Sequence, residues 1–127
     1  MNRRSIETNT FSHENPIPSA TRVGPLIESS IIPPFNRGIR ELPDSLDEQI
    51  ENLFMHMTAM LEEANANWDH VAKITFFVGD ASARGAINEP WLKRFPDPES
   101  RPSRHTQVVD ITGPMKISCV FTAYVSD

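Results

Sequence analysis

Arg104 is the residue whose type and position point most directly to chemistry. It stands in the segment RPSRHTQVVD at the mouth of a run rich in β-branched residues, and a last strand-forming segment, KISCVFTAYV, follows it. A guanidinium presents a planar fork of donors that pairs bidentately with a carboxylate. We therefore predict that Arg104 is an anion receptor aimed into a pocket, with a solvated strand-end charge as the alternative.

Side chains alternate along the two closing strands, predicted over 104–111 and 115–125, and this alternation indicates which residues accompany Arg104. Thr106 and Val108 fall on its face, and we expect them to line the same cleft. Ser118 is expected to face that cleft too, either holding a water by hydrogen bonding or filling space. His105 points away from Arg104, to solvent or to the helices.

The last strand has one apolar face and one half-polar face. We expect the apolar face to pack against helices, which makes Cys119 a buried small hydrophobe rather than a nucleophile. The second face is too apolar for open water and too polar for a dry core, which fits a subunit interface or a ligand cleft. That second face carries Lys116, Ser118, Val120, Thr122 and Tyr124.

A long amphipathic helix must position these strands. Ser45 and Glu48 form a capping-box pattern at its start, and His56 lies off its apolar stripe, where we expect it to be solvated. The stripe has the spacing of about five helical turns. Its members are Leu46, Ile50, Leu53, Phe54, Met57, Leu61 and Ala64.

A second helix is predicted from about 82 to 95, with Pro90 delaying its start or kinking it. Trp91 and Phe95 share one side with Ile87, and that spacing favours a core position over a pocket for Trp91. Earlier strands are predicted over 26–32 and in HVAKITFFVGD. In the latter, Ala72, Ile74, Phe76 and Val78 alternate with Lys73, Thr75 and Phe77.

This order of elements describes an α+β domain with helices on one face of a mixed sheet. Residues 1–14 are polar and turn-rich, so we expect an N-terminal arm that is ordered only where it packs on something, followed by a single domain over 15–127. The chain has 127 residues, which fits one domain.

Composition argues against several classes of function. Net charge is −5, which disfavours a nucleic-acid groove built on charge, and no apolar stretch approaches the length of a membrane span. One cysteine and no signal pattern favour the cytoplasm. The four histidines, His13, His56, His70 and His105, lack the spacing of metal ligands, and no glycine-rich phosphate loop is present, so no metal and no cofactor is expected.

From about residue 15 to 126 the chain resembles the Rid family (reactive intermediate deaminases, YjgF-like). The matching segments are GPLIESSI, SLDEQIENLFMHMTAMLEEANANWDHVAKITFFVGD, INEPWLKRFP, RPSRHTQVVD and MKISCVFTAYV. The resemblance implies a chorismate-mutase-like α+β fold with two helices packed on one face of a mixed sheet. It also implies a homotrimer, built as a trimeric barrel with clefts between subunits, which accounts for the half-polar sheet face.

The resemblance also implies roles for individual residues. The arginine of the family's Pro-Ala-Arg motif holds the carboxylate of a 2-imino or enamine acid, and Arg104 occupies that position. Asn88 matches a family asparagine on the second helix and would bind substrate beside Trp91, with capping or loop bridging as the alternative. The family's last-strand glutamate, which positions or activates the water, is replaced here by Ser118, and serine is no base near neutral pH. The usual Gly-Pro-Tyr segment near the N-terminus is also missing.

Two classes of function compete. The first is an enamine or imine deaminase-type hydrolase on a small carboxylate compound, or a pathway-specific catalyst such as a 2-aminomuconate-type deaminase. The second is a trimeric protein that captures a small carboxylate without turnover, which Ser118 favours. The older RNA-cleaving label fits poorly with the negative charge.

Overall fold

The computed structural model describes residues 2–126. In chain order its main elements are β1 (Arg3–Ile6), β2 (Ala20–Val23), β3 (Leu26–Ser29), α1 (Leu46–Glu63), β4 (Val71–Val78), α2 (Arg84–Arg94), β5 (Ser103–Val108) and β6 (Ile117–Tyr124). The strands form one six-stranded sheet in the order β1-β2-β3-β6-β4-β5. Neighbouring strands are antiparallel except β4 and β5, which run parallel. The sheet is therefore mixed, as the sequence predicted.

Both helices share one core with a single face of the sheet. Phe54 of α1, Ile87 of α2, Phe76 of β4 and Cys119 of β6 are all fully buried in it. Burial of such side chains is the main favourable term in folding. The expected layering of two helices against one sheet face is confirmed. No helix within residues 2–126 has the length and hydropathy to cross a membrane.

Helix α1 begins where its capping pattern predicted. The Ser45 hydroxyl accepts from the Glu48 backbone N–H at 3.1 Å and donates to the Glu48 carboxylate at 3.0 Å. The expected solvation of His56 is wrong, because its side chain is fully buried. Phe11 and the backbone of Phe35 cover that side of the helix, and neither could be placed there from helical periodicity.

Strand β4 departs from simple alternation at its start. A register shift against β6 between Val71 and Lys73 turns Val71 inward and leaves Ala72 exposed, so the predicted alternation fails at Ala72. From Ile74 onward the predicted alternation is observed. A bulge of this kind adds one residue to one strand, which strict period-two patterning does not anticipate.

The first residues are part of the domain rather than an arm. β1 pairs with β2, and Ile6, Thr10 and Phe11 are buried. The expected boundary after residue 14 is therefore not a structural boundary. The error arises because short polar segments give no periodic signal, although one or two buried side chains are enough to fasten them.

The second helix begins close to its predicted start, and the delayed start that Pro90 suggested is not observed. A 3₁₀ turn over Ala81–Ala83, capped by the Asp80 side chain accepting from the Ser82 N–H at 2.9 Å, precedes α2. Pro90 lies inside α2 and is buried, while Trp91 faces the core. The three other strands predicted from the sequence are each shorter in the structure by a few residues, and Ile32 joins the sheet through an isolated bridge to Cys119.

The carboxyl end of α1 receives its positive charge from the sheet. Its last turn contains no basic residue. Arg22 of β2 donates to the Ala64 carbonyl and, at 2.8 Å, to the Gly24 carbonyl, while Arg4 of β1 donates to the Glu63 carbonyl at 3.4 Å. Cations near the last helical carbonyls are stabilising, so these arginines fasten β1 and β2 to α1.

We expect Arg22→Gln to lower the free energy of unfolding by about 1–2 kcal/mol, because charge-assisted bonds at a helix end are lost. Urea unfolding monitored by circular dichroism measures this. Arg3→Gln, which removes the same charge from an exposed position on the neighbouring strand, is the matched control and should have little effect. Equal losses in the two variants would contradict the assigned role.

Candidate functional site

Arg104 lies on the helix-facing side of the sheet, near its edge. Its Cα pairs with that of Ile74, a buried residue of β4, and paired residues share a face. The guanidinium therefore extends toward α2. There its Nη2 donates to Asn88 Oδ1 at 2.9 Å, and its carbon atom lies 5.2 Å from the centre of the Trp91 ring.

Helix α2 supplies both of these contacts from one side. Asn88 and Trp91 are three residues apart, a spacing that brings side chains to the same face of a helix. The Trp91 ring is fixed by edge contacts with Phe95 at 4.8 Å and Phe76 at 6.5 Å between ring centroids. Trp91 thus forms a rigid aromatic surface under the cation.

The electrostatics of this group suit anion binding. Partial burial lowers the pKa of Arg104 from its ordinary value, yet an arginine stays charged at neutral pH. Within residues 2–126, the Arg104 side chain makes one hydrogen bond, which it donates to Asn88. A guanidinium has five N–H donors, so most of its fork is available to a planar anion such as a carboxylate.

Thr106 and Val108 lie on the same side of the sheet as Arg104, as predicted. They pair with Phe76 and Val78 of β4, which both face the core. Thr106 is half-buried, while Val108 is exposed at the end of the strand. The alternation along β5 therefore brings Arg104 and Thr106 to one surface, with Val108 at its margin.

Ser118 does not join this surface, and the prediction that it shares a cleft face with Arg104 is wrong within one chain. Ser118 pairs with Phe77 of β4, and Phe77 in turn pairs with Gln107 of β5. Ser118 and Gln107 thus lie on the face of the sheet away from the helices. Strands β5 and β6 both pair with β4, so their side chains alternate between the same two faces. Arg104 and Ser118 stand at opposite positions of this alternation and therefore face opposite sides of the sheet.

His105 lies on that outer face with Ser118. It pairs with Thr75, which pairs with Val120, and its side chain is exposed. Its expected orientation away from Arg104 is confirmed, but its alternative placement toward the helices is wrong. The outer face therefore contains an imidazole and a hydroxyl, and the inner side contains the guanidinium.

The outer face has the half-polar character predicted for it. Ser118 is 5% exposed, whereas Leu26 and Tyr124, paired across β3 and β6, are 40% and 56% exposed. Large apolar side chains are thus left exposed on this face of the sheet.

Other reactive groups lie apart from this site. Cys119 is fully buried with its Sγ 3.9 Å from the Met57 sulfur, and burial raises the pKa of its thiol, which disfavours the thiolate. Within the described part of the chain, no group of three or more histidine, cysteine, aspartate or glutamate side chains is placed to hold a metal ion.

Sequence reasoning found Arg104, Asn88 and Trp91 separately but missed their mutual contact. The structure places Asn88 and Trp91 against the guanidinium, so both are positioning residues for Arg104. The available signal was an asparagine and an aromatic residue three positions apart on a helix that packs beside the strand. Strand register, which decides the partner, is not readable from a single sequence.

Comparison with known proteins identifies the group of proteins to which the chain is similar. The family model described as Endoribonuclease L-PSP matches residues 8–124. A RutC family protein of Aquifex aeolicus is 29% identical over 66 residues, and the match covers 52% of this chain and 53% of that relative. The chain thus spans about half the length of that curated relative.

Two solved structures are similar over nearly the whole chain. A Rid family protein of unknown function, YyfA from Yersinia pestis, is 21% identical with a TM-score of 0.88, covering 98% of this chain and 100% of its own. E. coli TdcF, solved with bound serine, is 21% identical with a TM-score of 0.86, covering 97% and 99%. At these identities the likeness establishes the fold, which is chorismate-mutase-like α+β.

Proposed function

The chain belongs to the Rid family, the family of the Endoribonuclease L-PSP model, and on that premise we propose that it is a deaminase-type hydrolase of a small 2-imino or enamine carboxylate. The observation that carries the proposal is Arg104, a half-buried guanidinium held from one side by Asn88 and Trp91. Such a group binds a carboxylate in a fixed orientation, which is the first requirement for catalysis on a small acid.

The chemistry asks little of the protein beyond orientation. Water adds its oxygen to the imine carbon, the carbon–nitrogen bond breaks, ammonia leaves, and a 2-oxo acid is the product. An enamine first takes a proton at carbon to become the imine. Arg104 anchors the carboxylate, Thr106 and Val108 border the anchored acid, and charge stabilisation lowers the barrier.

Ser118 is proposed to hold the attacking water. It lies on the opposite face of the sheet, so it can serve an Arg104 site only if a second copy of the chain brings its outer face to that site. The exposed Leu26 and Tyr124 on the outer face support such an assembly. We propose the homotrimer with clefts between subunits that the family resemblance implies.

A second candidate function is capture of a small carboxylate without turnover. It is supported by Ser118 itself, since a hydroxyl orients water but does not accept its proton near neutral pH. A solved relative, E. coli TdcF, was crystallised with serine, which carries a carboxylate. A pathway-specific catalyst, for example a 2-aminomuconate-type deaminase, is a variant of the enzyme proposal.

Cleavage of RNA, which the family model's description names, has less physical support in this chain. Net charge is −5, and binding a polyphosphate requires clustered lysine and arginine. We place the protein in the cytoplasm, a reducing compartment, and this is supported by its single cysteine being a buried free thiol.

The assembly predicts that light scattering at micromolar concentration gives three times the 14.3 kDa chain mass. Tyr124→Glu should shift the protein toward monomer, because it adds a charge to the outer face. Leu92→Glu is the matched control, an equally exposed apolar residue on α2. A stable wild-type monomer would contradict the shared cleft.

We expect Arg104→Ala to weaken pyruvate binding roughly 30- to 4,000-fold with the fold intact, since loss of a partly desolvated charged partner costs about 2–5 kcal/mol. Arg104→Lys should restore little, because a point charge does not reproduce the fork. Titration calorimetry measures both. Arg101→Ala, which removes the same charge from the preceding loop, is the control. Unchanged affinity in Arg104→Ala would show that the site is elsewhere.

Wild-type protein should hydrolyse freshly generated 2-iminopropanoate weakly, and Ser118→Glu should raise the rate by about 10²–10⁴-fold, the usual contribution of a positioned acid or base. Ser118→Gln tests size without charge, which matters because Ser118 is only 5% exposed. It should give no gain. Strong wild-type deamination that is unchanged or lost in Ser118→Glu would show that another group activates the water.

A further inference from the structure

A histidine cluster outside the Arg104 site joins α1 to the first residues of the chain. The Phe11 ring makes edge contacts with two imidazoles, His56 at 4.7 Å and His13 at 5.5 Å between ring centroids. His56 is fully buried on α1, and its Nε2 lies 2.7 Å from the Phe35 carbonyl oxygen. Within residues 2–126, His56 Nδ1 and His13 Nε2 are buried atoms with no hydrogen-bond partner.

Two segments meet over this cluster, the N-terminal segment (residues 8–14) and the 33–41 loop. The Gly38 N–H donates to the Thr10 carbonyl at 2.8 Å, and Arg40 donates to the Ser12 carbonyl. Arg40 also pairs with Glu14 at 3.3 Å. The segments are thus fastened to each other mainly by exposed polar contacts.

Side chains of α1 hold the 33–41 loop by hydrogen bonds. Asn52 donates to the Pro34 carbonyl at 3.1 Å and to Asn36 Oδ1 at 2.9 Å, and His56 contacts the Phe35 carbonyl. A cavity of about 200 Å³ separates the loop from the N-terminal segment. Its lining consists of Thr8, Asn9, Phe11, Ser12, Phe35, Gly38, Ile39 and Arg40. The 33–41 loop is therefore fastened to α1 by side-chain hydrogen bonds, and the N-terminal segment contacts α1 through the Phe11 ring on His56.

We propose that His56 is a pH-sensitive latch, and that its protonation releases the N-terminal segment and the 33–41 loop from α1. A carbonyl acceptor at Nε2 requires the hydrogen on that nitrogen, which leaves the buried Nδ1 without one. Protonation puts a second N–H and a full charge at a buried atom for which residues 2–126 provide no hydrogen-bond partner. A buried unpaired charge is costly, and moving Phe11 and the loop away admits water to it.

The charged and titratable groups around His56 favour release. In the 33–41 loop, Arg37 acts on His56 by charge repulsion and Arg40 lies over the Phe35 ring, while His13 and Glu14 belong to the N-terminal segment. Glu14 is engaged by Arg40. Desolvation lowers the pKa of His56, Arg37 lowers it further, and the bond to Phe35 opposes both. A depressed histidine pKa means that closure is fully stable above about pH 6.5 and weakens as pH falls toward the folded-state pKa.

Hydrogen exchange followed by mass spectrometry, corrected for the intrinsic pH dependence of exchange, tests the latch in the full chain. Between pH 7.5 and 5, wild-type opening of residues 8–14 and 33–41 should rise as the pH falls, because burial lowers the pKa of His56 and protonation therefore favours the open state. His56→Gln keeps a donor for the Phe35 carbonyl but cannot titrate, so its exchange should not change with pH. His105→Gln, which removes an exposed histidine, should behave as wild type.

Exchange in these segments that is independent of pH in wild type, or equally pH-dependent in His56→Gln, would overturn the latch. If His56→Gln does not fold, the proton NMR titration of the wild-type His56 ring decides. A midpoint below the ordinary histidine value, accompanied by shifts of residues 8–14 and 33–41, supports the proposal. A midpoint at or above that value refutes it.

Discussion

The register in which β5 and β6 pair with β4 is the constraint on which the rest of the structure depends. Backbone hydrogen bonds hold the three strands together, and a slip of one residue would exchange the two faces of a strand. This register places Arg104 beside α2 and Ser118 on the opposite face. The two groups most readily linked to imine hydrolysis are therefore separated by the sheet itself, and a site that uses both requires a second copy.

The surroundings of Arg104 follow from the same constraint. An arginine at the edge of the helix-facing side meets a helix surface, and α2 presents an amide oxygen and an indole ring there. Phe76 and Phe95 hold the indole ring of Trp91, so the core fixes the aromatic surface that lies against the Arg104 guanidinium. Because the guanidinium is half-buried and held from one side, its remaining N–H donors can pair with a planar anion, which supports the proposed carboxylate site.

The sequence predicted those features that depend on local pattern. The capping box at Ser45, the apolar stripe of α1, the mixed sheet and the alternation along β5 all match the structure. The predictions for features that depend on distant segments were wrong. His56 appeared solvated because the loop that buries it comes from residues 33–41, and Ser118 appeared to share a face with Arg104 because strand register is a tertiary property. The contact between Arg104 and Trp91 was missed for the same reason.

A crystal structure of the protein with bound pyruvate tests the central claim, that Arg104 on its Asn88–Trp91 support is a carboxylate receptor. The account predicts both carboxylate oxygens within about 3 Å of the Arg104 guanidinium nitrogens, with the Asn88 contact retained. It also predicts that Ser118 of a second copy lies at the same cleft. Pyruvate bound at another position, with the Arg104 guanidinium facing solvent, would contradict the account.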